Sequence, residues 1–395
     1  MKLLYISYWG INDVLTKATV IPNLNILRPH FTKIYFTTIE RTRIPEPAPP
    51  DNITYIPFYS VTWLPRFLQK VADFLLFSMK LFWLTKTKGV DVVICRGAMA
   101  AAFGVFLHKV SAKPFIVESF EPHADYMLEG GTWTKHGIEY RFQKWIEAQT
   151  IGKARYLLPV TENYRNALKD QGVSADRILV MPCCVDIDRF RFKEEERRKV
   201  RRELEIADDV IVGIYVGKFG DIYLKEESFL VFKKAAEVFG DKFFLIILTP
   251  QPIAEIKEQL ISVNFNLESV HIKYADHTRV PDYLSAADFA FSLIRTSPSR
   301  KYCSPIKNGE YWANGLPILL TSGVSDDEQI LVENNAGAIL NLADNNLESS
   351  LLKIKDIIKE DRTLLEKKIS PVAAHHRHFN IIIEGYTKIF PLPKT

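Results

Sequence analysis

The chain has 395 residues, 47% of them hydrophobic and 25% charged, with a net charge of +4. That length exceeds one compact core and sets two domains as the expectation, and the composition excludes a disordered or fibrous protein. The charge is too mild for a nucleic-acid partner and suits an anionic substrate or an acidic membrane surface.

Cys95, Cys183, Cys184 and Cys303 lack zinc-ligand spacing, and the vicinal Cys183-Cys184 is a poor disulfide framework. A reducing cytoplasm is the expected location. The opening MKLLYISYWG is too aromatic, and too short in its apolar part, for a signal peptide. No apolar run approaches the ~20 residues of a membrane span.

Lys2–Ser7 has a buried-strand pattern and ends at Tyr8-Trp9-Gly10; Asn12 and Asp13 follow in the turn, and Leu15–Leu27 has helical spacing. Further strands are predicted at Lys33–Thr38, Ile53–Pro57, Asp91–Cys95, Pro114–Ser119 and Tyr156–Val160, with helices at Met99–Val110, Ile138–Gly152 and Asn163–Gln171. Strand and helix in alternation predict a parallel, doubly wound α/β sheet whose ligands sit beyond the strand C-termini. Two turns at such ends hold candidates. Asn12 and Asp13 are placed for contacts to an acceptor or a cleft, and Glu121 and His123 for contacts to a reacting centre. A plain surface loop is the competing reading of His123.

Trp63–Lys88 combines Trp63, Phe67, Val71, Phe74, Leu75, Phe77, Leu81, Phe82 and Trp83 with Arg66, Lys70, Lys80, Lys86 and Lys88 against the lone Asp73. It reads either as a basic amphipathic helix docking on anionic lipid or as a long helix covering the sheet with solvated lysines. After a strand at Ile178–Met181, Asp186-x-Asp188 has the spacing of a Mn²⁺ or Mg²⁺ pair. Its place after a strand and a proline, ahead of the charged stretch Lys193–Arg202, makes it a structural boundary instead.

The second domain opens with a strand at Val210–Val216, then Gly217-Lys218-Phe219-Gly220 and a helix at Glu226–Phe239. A glycine-flanked lysine at a strand's C-terminal end brings amides and an ammonium to phosphate. Strands follow at Phe243–Leu248, Val270–Lys273 and Phe289–Leu293; Tyr274 is a candidate for stacking on a base, and Arg295, Arg300 and Lys301 flank the next loop.

Ser304–Thr321 reads SPIKNGEYWANGLPILLT. Ser304 is expected as N-cap and Pro305 as first helical residue, with Gly315 as left-handed C-cap and Ile318–Leu320 as a buried strand. The free amides after Ser304, starting at Ile306 and Lys307 because Pro305 has no N–H, and the positive end of the helix dipole would make an anion site, with Pro305-Ile306-Lys307 at its edge. Glu310 lies six residues beyond the cap, about 9 Å along the axis at ~1.5 Å per residue, roughly the span from a nucleotide's phosphates to its ribose. The competing reading is an exposed helix with a Lys307/Glu310 surface pair. Helices are predicted at Asp326–Asn334 and Leu347–Ile358 around the strand Ala338–Leu340, and one tail helix at His375–Phe390. His375, His376 and His378 have no partners at metal-ligand spacing, so no metal site is assigned.

The string Ser-Pro-x-Lys-x-x-Glu-Tyr-x-Ala-x-Gly-x-Pro ahead of an apolar strand resembles the nucleotide-sugar motif of retaining glycosyltransferases of the family-4 group, with the GT-B fold. The resemblance implies two Rossmann-like domains facing each other across a cleft: an acceptor-side domain at 1–190, a nucleotide-sugar domain at 191–372 and a C-terminal helix at 373–395 returning to the first. It places Glu310 on the ribose and Lys218 on the diphosphate, with Asp186–Phe190 between the domains and a histidine like His123 near the donor sugar. Tyr302 stands where many members carry a second acid. The implied reaction is transfer of a sugar from a UDP- or GDP-linked donor to a glycan or lipid-linked acceptor of a bacterial surface polysaccharide. The leaving phosphate takes the acceptor proton, and no metal or further cofactor is expected. The implied location is cytoplasmic, peripheral on the inner face of the plasma membrane. A sugar-nucleotide epimerase on the same fold, and a non-catalytic nucleotide- or glycan-binding scaffold suggested by Tyr302, stay open as alternatives. A periplasmic solute-binding protein also has two α/β lobes, but the missing export signal counts against it.

Overall fold

The computed structural model describes residues 1–43 and 50–392. The side chain of Arg66, one of the basic residues singled out above, lies outside the described residues. The chain forms two compact units, Met1–Pro182 with Asn380–Thr395, and Cys183–Phe379. In the first, Leu3–Ile6 of β1 (Lys2–Ser7) are all buried. A run without polar alternation needs both faces of its strand covered, which a central strand in a helix-flanked parallel sheet provides. Accordingly β1 lies between β2 (Lys33–Glu40) and β5 (Val92–Arg96), and the sheet runs β3-β2-β1-β5-β6-β7, all parallel. Here β3 is Ile53–Tyr55, β6 Phe115–Phe120 and β7 Tyr156–Pro159, while β4 (Phe58–Tyr59) pairs with β2 beside β3.

The expected strand at Ile178–Met181 is a single bridge, Leu157 to Ile178, beside β7. The helix expected at Leu15–Leu27 starts as a wide turn at Thr16–Val20 and becomes α-helical only at Ile21–Leu27, because Pro22 brings no N–H to the junction. The tail is not one helix. Arg362–His376 and Asn380–Ile389 are separate, broken where Val185 N–H bonds the Arg377 carbonyl and Val185 bridges His378. That bridge joins the start of the second unit to its end, so the unit begins at Cys183 rather than at 191.

The last helix packs within the first unit. Tyr386 Oη donates to the buried carboxylate of Glu118, which also accepts from Tyr5 Oη at 2.6 Å and from Asn23 at 3.3 Å, with Arg96 3.6 Å away. Tyr5 and Tyr386 are both pushed well above the ordinary tyrosine range by burial and by this carboxylate.

The second unit repeats the design. Val212–Tyr215 are buried in β8 (Ile211–Val216), which sits mid-sheet in the order β10-β9-β8-β11-β12-β13. The others are β9 (Phe243–Leu248), β10 (Val270–Lys273), β11 (Phe289–Ser292), β12 (Ile318–Thr321) and β13 (Gly337–Leu340). Apolar cores cover both faces, one led by Trp312 and Tyr311, the other by Phe229, Phe232 and Phe291.

Candidate functional site

The site in the second unit is built on the helix Ile306–Ala313, which runs between β11 and β12. Ser304 does not cap it. Pro305 holds the N-cap position in an extended conformation, and Ser304 Oγ accepts instead from Cys183 N–H at 3.1 Å and Arg377 Nη1 at 2.7 Å. Arg377 also pairs with buried Asp327, which accepts from Asn308 at 2.8 Å, so the first turn is locked from behind. At the other end Gly315, at φ +73°, receives the chain as expected, donating to Trp312 while Leu316 donates to Tyr311.

Lys307 and Glu310 are not a surface pair; they are 6% and 4% exposed. Lys307 Nζ lies 4.0 Å from the Tyr223 ring centre and 5.0 Å from that of Tyr215, and among the described residues it has no hydrogen-bond partner. It points at the turn after β8. Gly217 there adopts φ +140°, and a Cβ on it would stand 3.0 Å from Nζ, so the missing side chain lets backbone and ammonium meet. Burial pulls the Lys307 pKa down to about 7 against the opposing charge of Glu310. The two tyrosine faces give it cation–π support, but among the described residues no counter-ion touches it. Tyr311 Oη accepts from Val216 N–H at 3.1 Å and fastens the helix to the same turn.

Glu310 Oε1 lies 2.8 Å from His277 Nε2. Lys218 follows Gly217 and is exposed, with its carbonyl accepting from Tyr215 Oη. Tyr274 is 65% exposed and Arg295 is exposed, whereas Tyr302 is half-buried in a short turn, Arg300–Tyr302. The structure therefore brings Gly217 to the Lys307 ammonium, one helical turn from Glu310, with exposed Lys218 next to Gly217 in the chain. Asp186, considered for a metal, caps its own short helix by accepting Arg189 N–H at 3.0 Å. Among the described residues no group of three or more His, Cys, Asp or Glu is arranged to hold a metal ion.

In the first unit, His123 starts the helix His123–Glu129. Its ring meets Trp133 edge-on at 5.6 Å, and burial holds its pKa below the ordinary histidine value. Glu121 gives its carbonyl to His123 N–H. The next amide, Ala124 N–H, donates at 2.8 Å to Glu147, a buried carboxylate raised to about 7 by desolvation. Asp13 caps the following turn by accepting Leu15 N–H at 2.9 Å, leaving Asn12 exposed beside it. Buried Glu40 holds this loop by accepting Ile11 N–H at 2.7 Å.

Sequence reasoning missed Tyr215, Tyr223, His277 and Arg189. Tyr223 sits in a loop without periodicity, and His277 in a turn whose polar residues read as solvent-facing.

Residues 38–184 match the family described as glycosyl transferase 4-like domain. No curated protein matches the chain by sequence. Similar solved structures include HepE of Anabaena in complex with UDP-glucose, at 12% identity over 98% of this chain and 99% of that one, with a TM-score of 0.71. Sucrose-phosphate synthase of Thermosynechococcus elongatus is 16% identical over 99% and 98%, with a TM-score of 0.77. WaaG, a glycosyltransferase involved in lipopolysaccharide biosynthesis, is 14% identical over 99% and 100%, with a TM-score of 0.70.

Proposed function

We propose that the chain, whose residues 38–184 match a glycosyl transferase 4-like domain and whose fold is shared with GT-B glycosyltransferases, is itself a glycosyltransferase that moves a hexosyl group from a UDP- or GDP-linked donor to a glycan or lipid-linked acceptor, with retention and without a divalent metal. The observation that carries this is Lys307: a buried cation with no hydrogen-bond partner among the described residues, aimed at a glycine turn one helical turn from a buried carboxylate. A buried ammonium is costly unless something pairs with it, and a diphosphate over Gly217 supplies that pairing. As the sugar leaves, charge grows on the diphosphate. The Lys307 ammonium, exposed Lys218 and the N–H groups of Ile306 and Lys307 at the start of the helix are preorganised to stabilise it. Glu310 then takes the ribose hydroxyls, and Tyr274 and Arg295 border the base and sugar. Tyr302 takes the place of an acid near the donor sugar, while Glu121 and His123 serve the reacting centre and Asn12 and Asp13 the acceptor. Uridine as the base is supported by HepE, whose structure contains UDP-glucose.

We place the enzyme at an anionic membrane surface. The helix Arg66–Lys88 buries Phe77, Leu81 and Leu84, yet leaves Phe67, Leu68, Val71, Leu75, Met79 and Trp83 exposed; Trp63 before it is 81% exposed. Lys70, Lys86 and Lys88 flank this face. Lys80 does not, since its ammonium bonds the Pro57 carbonyl at 2.7 Å. Among the described residues no helix is long and apolar enough to cross a membrane. A surface-glycan role is supported by WaaG, described as acting in lipopolysaccharide biosynthesis.

The test is incubation of the purified protein with radiolabelled UDP- and GDP-sugars and membrane extract, with and without EDTA. Chelator-resistant label in a glycan or glycolipid is expected. An epimerised donor with no transfer would point to an epimerase, and tight nucleotide binding without turnover to a scaffold.

A further inference from the structure

Two segments distant in sequence end on Glu310. The loop Tyr274–Arg279 is drawn into a tight turn by Asp276, which accepts Thr278 N–H at 2.9 Å and whose carbonyl accepts Arg279 N–H at 2.8 Å. This turn delivers His277 to Glu310 Oε1 at 2.8 Å. The short helix Ile187–Phe190 supplies Arg189, whose Nη2 donates to the His277 carbonyl and lies 3.1 Å from its Nδ1. Arginine has donors and no acceptor, so Nδ1 must offer its lone pair. The ring hydrogen is therefore on Nε2 and is donated to Glu310. Phe190 lies against the same imidazole, ring centres 5.4 Å apart, and its carbonyl accepts from Asn314 at 3.0 Å. Asn314 immediately follows the helix that carries Glu310, so the contacts close into a ring: Glu310, His277, Arg189, Phe190, Asn314 and back.

We infer that His277, oriented by Arg189, is a positioning residue that fixes the Glu310 carboxylate for a ribose diol. This deepens the nucleotide-sugar reading and rests on it. A glutamate's terminal torsion is broad and two-fold, so a carboxylate without a partner samples many orientations. Here Oε1 is held, and among the described residues Oε2 makes no hydrogen bond. The carboxylate plane is set before a ligand arrives, with Oε2 and the second lone pair of Oε1 ready for two hydroxyls. The segment Asp186–Phe190, which from the sequence is only a boundary, thereby reaches the nucleotide site through one arginine.

The experiment measures, in the full-length protein, the Kd of UDP and GDP and of their 2′-deoxy counterparts. The readout is the deoxy-to-ribo Kd ratio for whichever base binds. Wild type is expected to favour the ribonucleotide by roughly tenfold, the worth of one charge-assisted hydrogen bond. In His277→Phe, which keeps the ring packing on Phe190 but has no donor, the ratio falls to about a third of that or less. In His277→Gln, whose amide can donate to Glu310 and accept from Arg189, it returns to within about twofold of wild type. Arg189→Met is expected to lower the ratio as His277→Phe does. A merely structural histidine would change Tm and leave the ratio alone. If Glu310→Gln lowers the ratio and His277→Phe does not, the inference is overturned while the nucleotide reading stands. If wild type binds neither nucleotide, both fall.

Discussion

Lys307→Met removes the ammonium while keeping the length and apolar stem of the side chain, and the structure gives the consequence a sign and a size. In the folded protein burial holds this lysine at about 7, against an ordinary value of 10.5. Between those values the unfolded chain binds a proton that the folded one does not, so the wild-type protein gains stability as pH rises through that window. Below pH 7 the cost is complete and amounts to at most about 5 kcal/mol. Lys307→Met is therefore expected to melt later than wild type at pH 6.5, with the two curves converging toward pH 10. The same variant should bind nucleotide poorly. Bound diphosphate gives the ammonium a partner and draws its pKa back up, so binding takes up a proton. At pH 8 only about a tenth of unliganded Lys307 is charged, and the uptake should be about 0.9 proton per UDP bound. Terminal phosphates, with a pKa of about 6, are already ionised there and contribute little. Titration calorimetry in two buffers of different ionisation enthalpy measures the uptake directly. UDP binding by Lys307→Met as tight as by wild type, or wild-type binding with no proton uptake at pH 8, would refute the assignment of Lys307 to the diphosphate.

Three further outcomes are expected. Lys218→Ala should lower kcat for transfer by roughly ten- to a hundredfold, as loss of one charge stabiliser does, with Tm unchanged because the side chain is exposed; a fall in Tm at normal kcat would make it structural. Glu147, raised to about 7, carries a folded-state cost that is absent below about 4.5 and complete above 7. Glu147→Gln should thus gain up to about 3 kcal/mol at pH 8 and nothing at pH 4.5, read from thermal melts across that range. Replacing Trp63, Phe67 and Trp83 together with serine should abolish sedimentation with phosphatidylglycerol vesicles, and replacing Lys70, Lys86 and Lys88 with glutamine should weaken it and remove most of its salt dependence; full retention of both variants on vesicles would remove this face from the membrane assignment.

The parallel strands were legible because burial on both faces leaves unbroken runs such as Leu3–Ile6 and Val212–Tyr215, a pattern solvent-facing strands do not produce. The helix Arg362–His376 was not, since Pro371 and its lysines interrupt any apolar period. Within the site, Gly315 read correctly because the left-handed region favours one residue type. Ser304 read wrongly because a cap is a competition. Its hydroxyl had a second, buried claimant in Arg377, and the proline after it took the cap position. The exposure of Lys307 and Glu310 shows the same limit. Spacing says that two side chains share a helix face, but not what that face meets. The tyrosines covering Lys307 come from β8 and the loop after it, and the histidine on Glu310 from a third loop. Sequence periodicity reports a residue's relation to its own element, whereas the charge state of Lys307 and the orientation of Glu310 are set by elements brought in by the sheet order. Here β8 and β11 are neighbours in space though separated by two strands in sequence. A motif can thus locate the helix that binds an anion, while the strength and proton-dependence of that binding belong to the residues the fold packs against it.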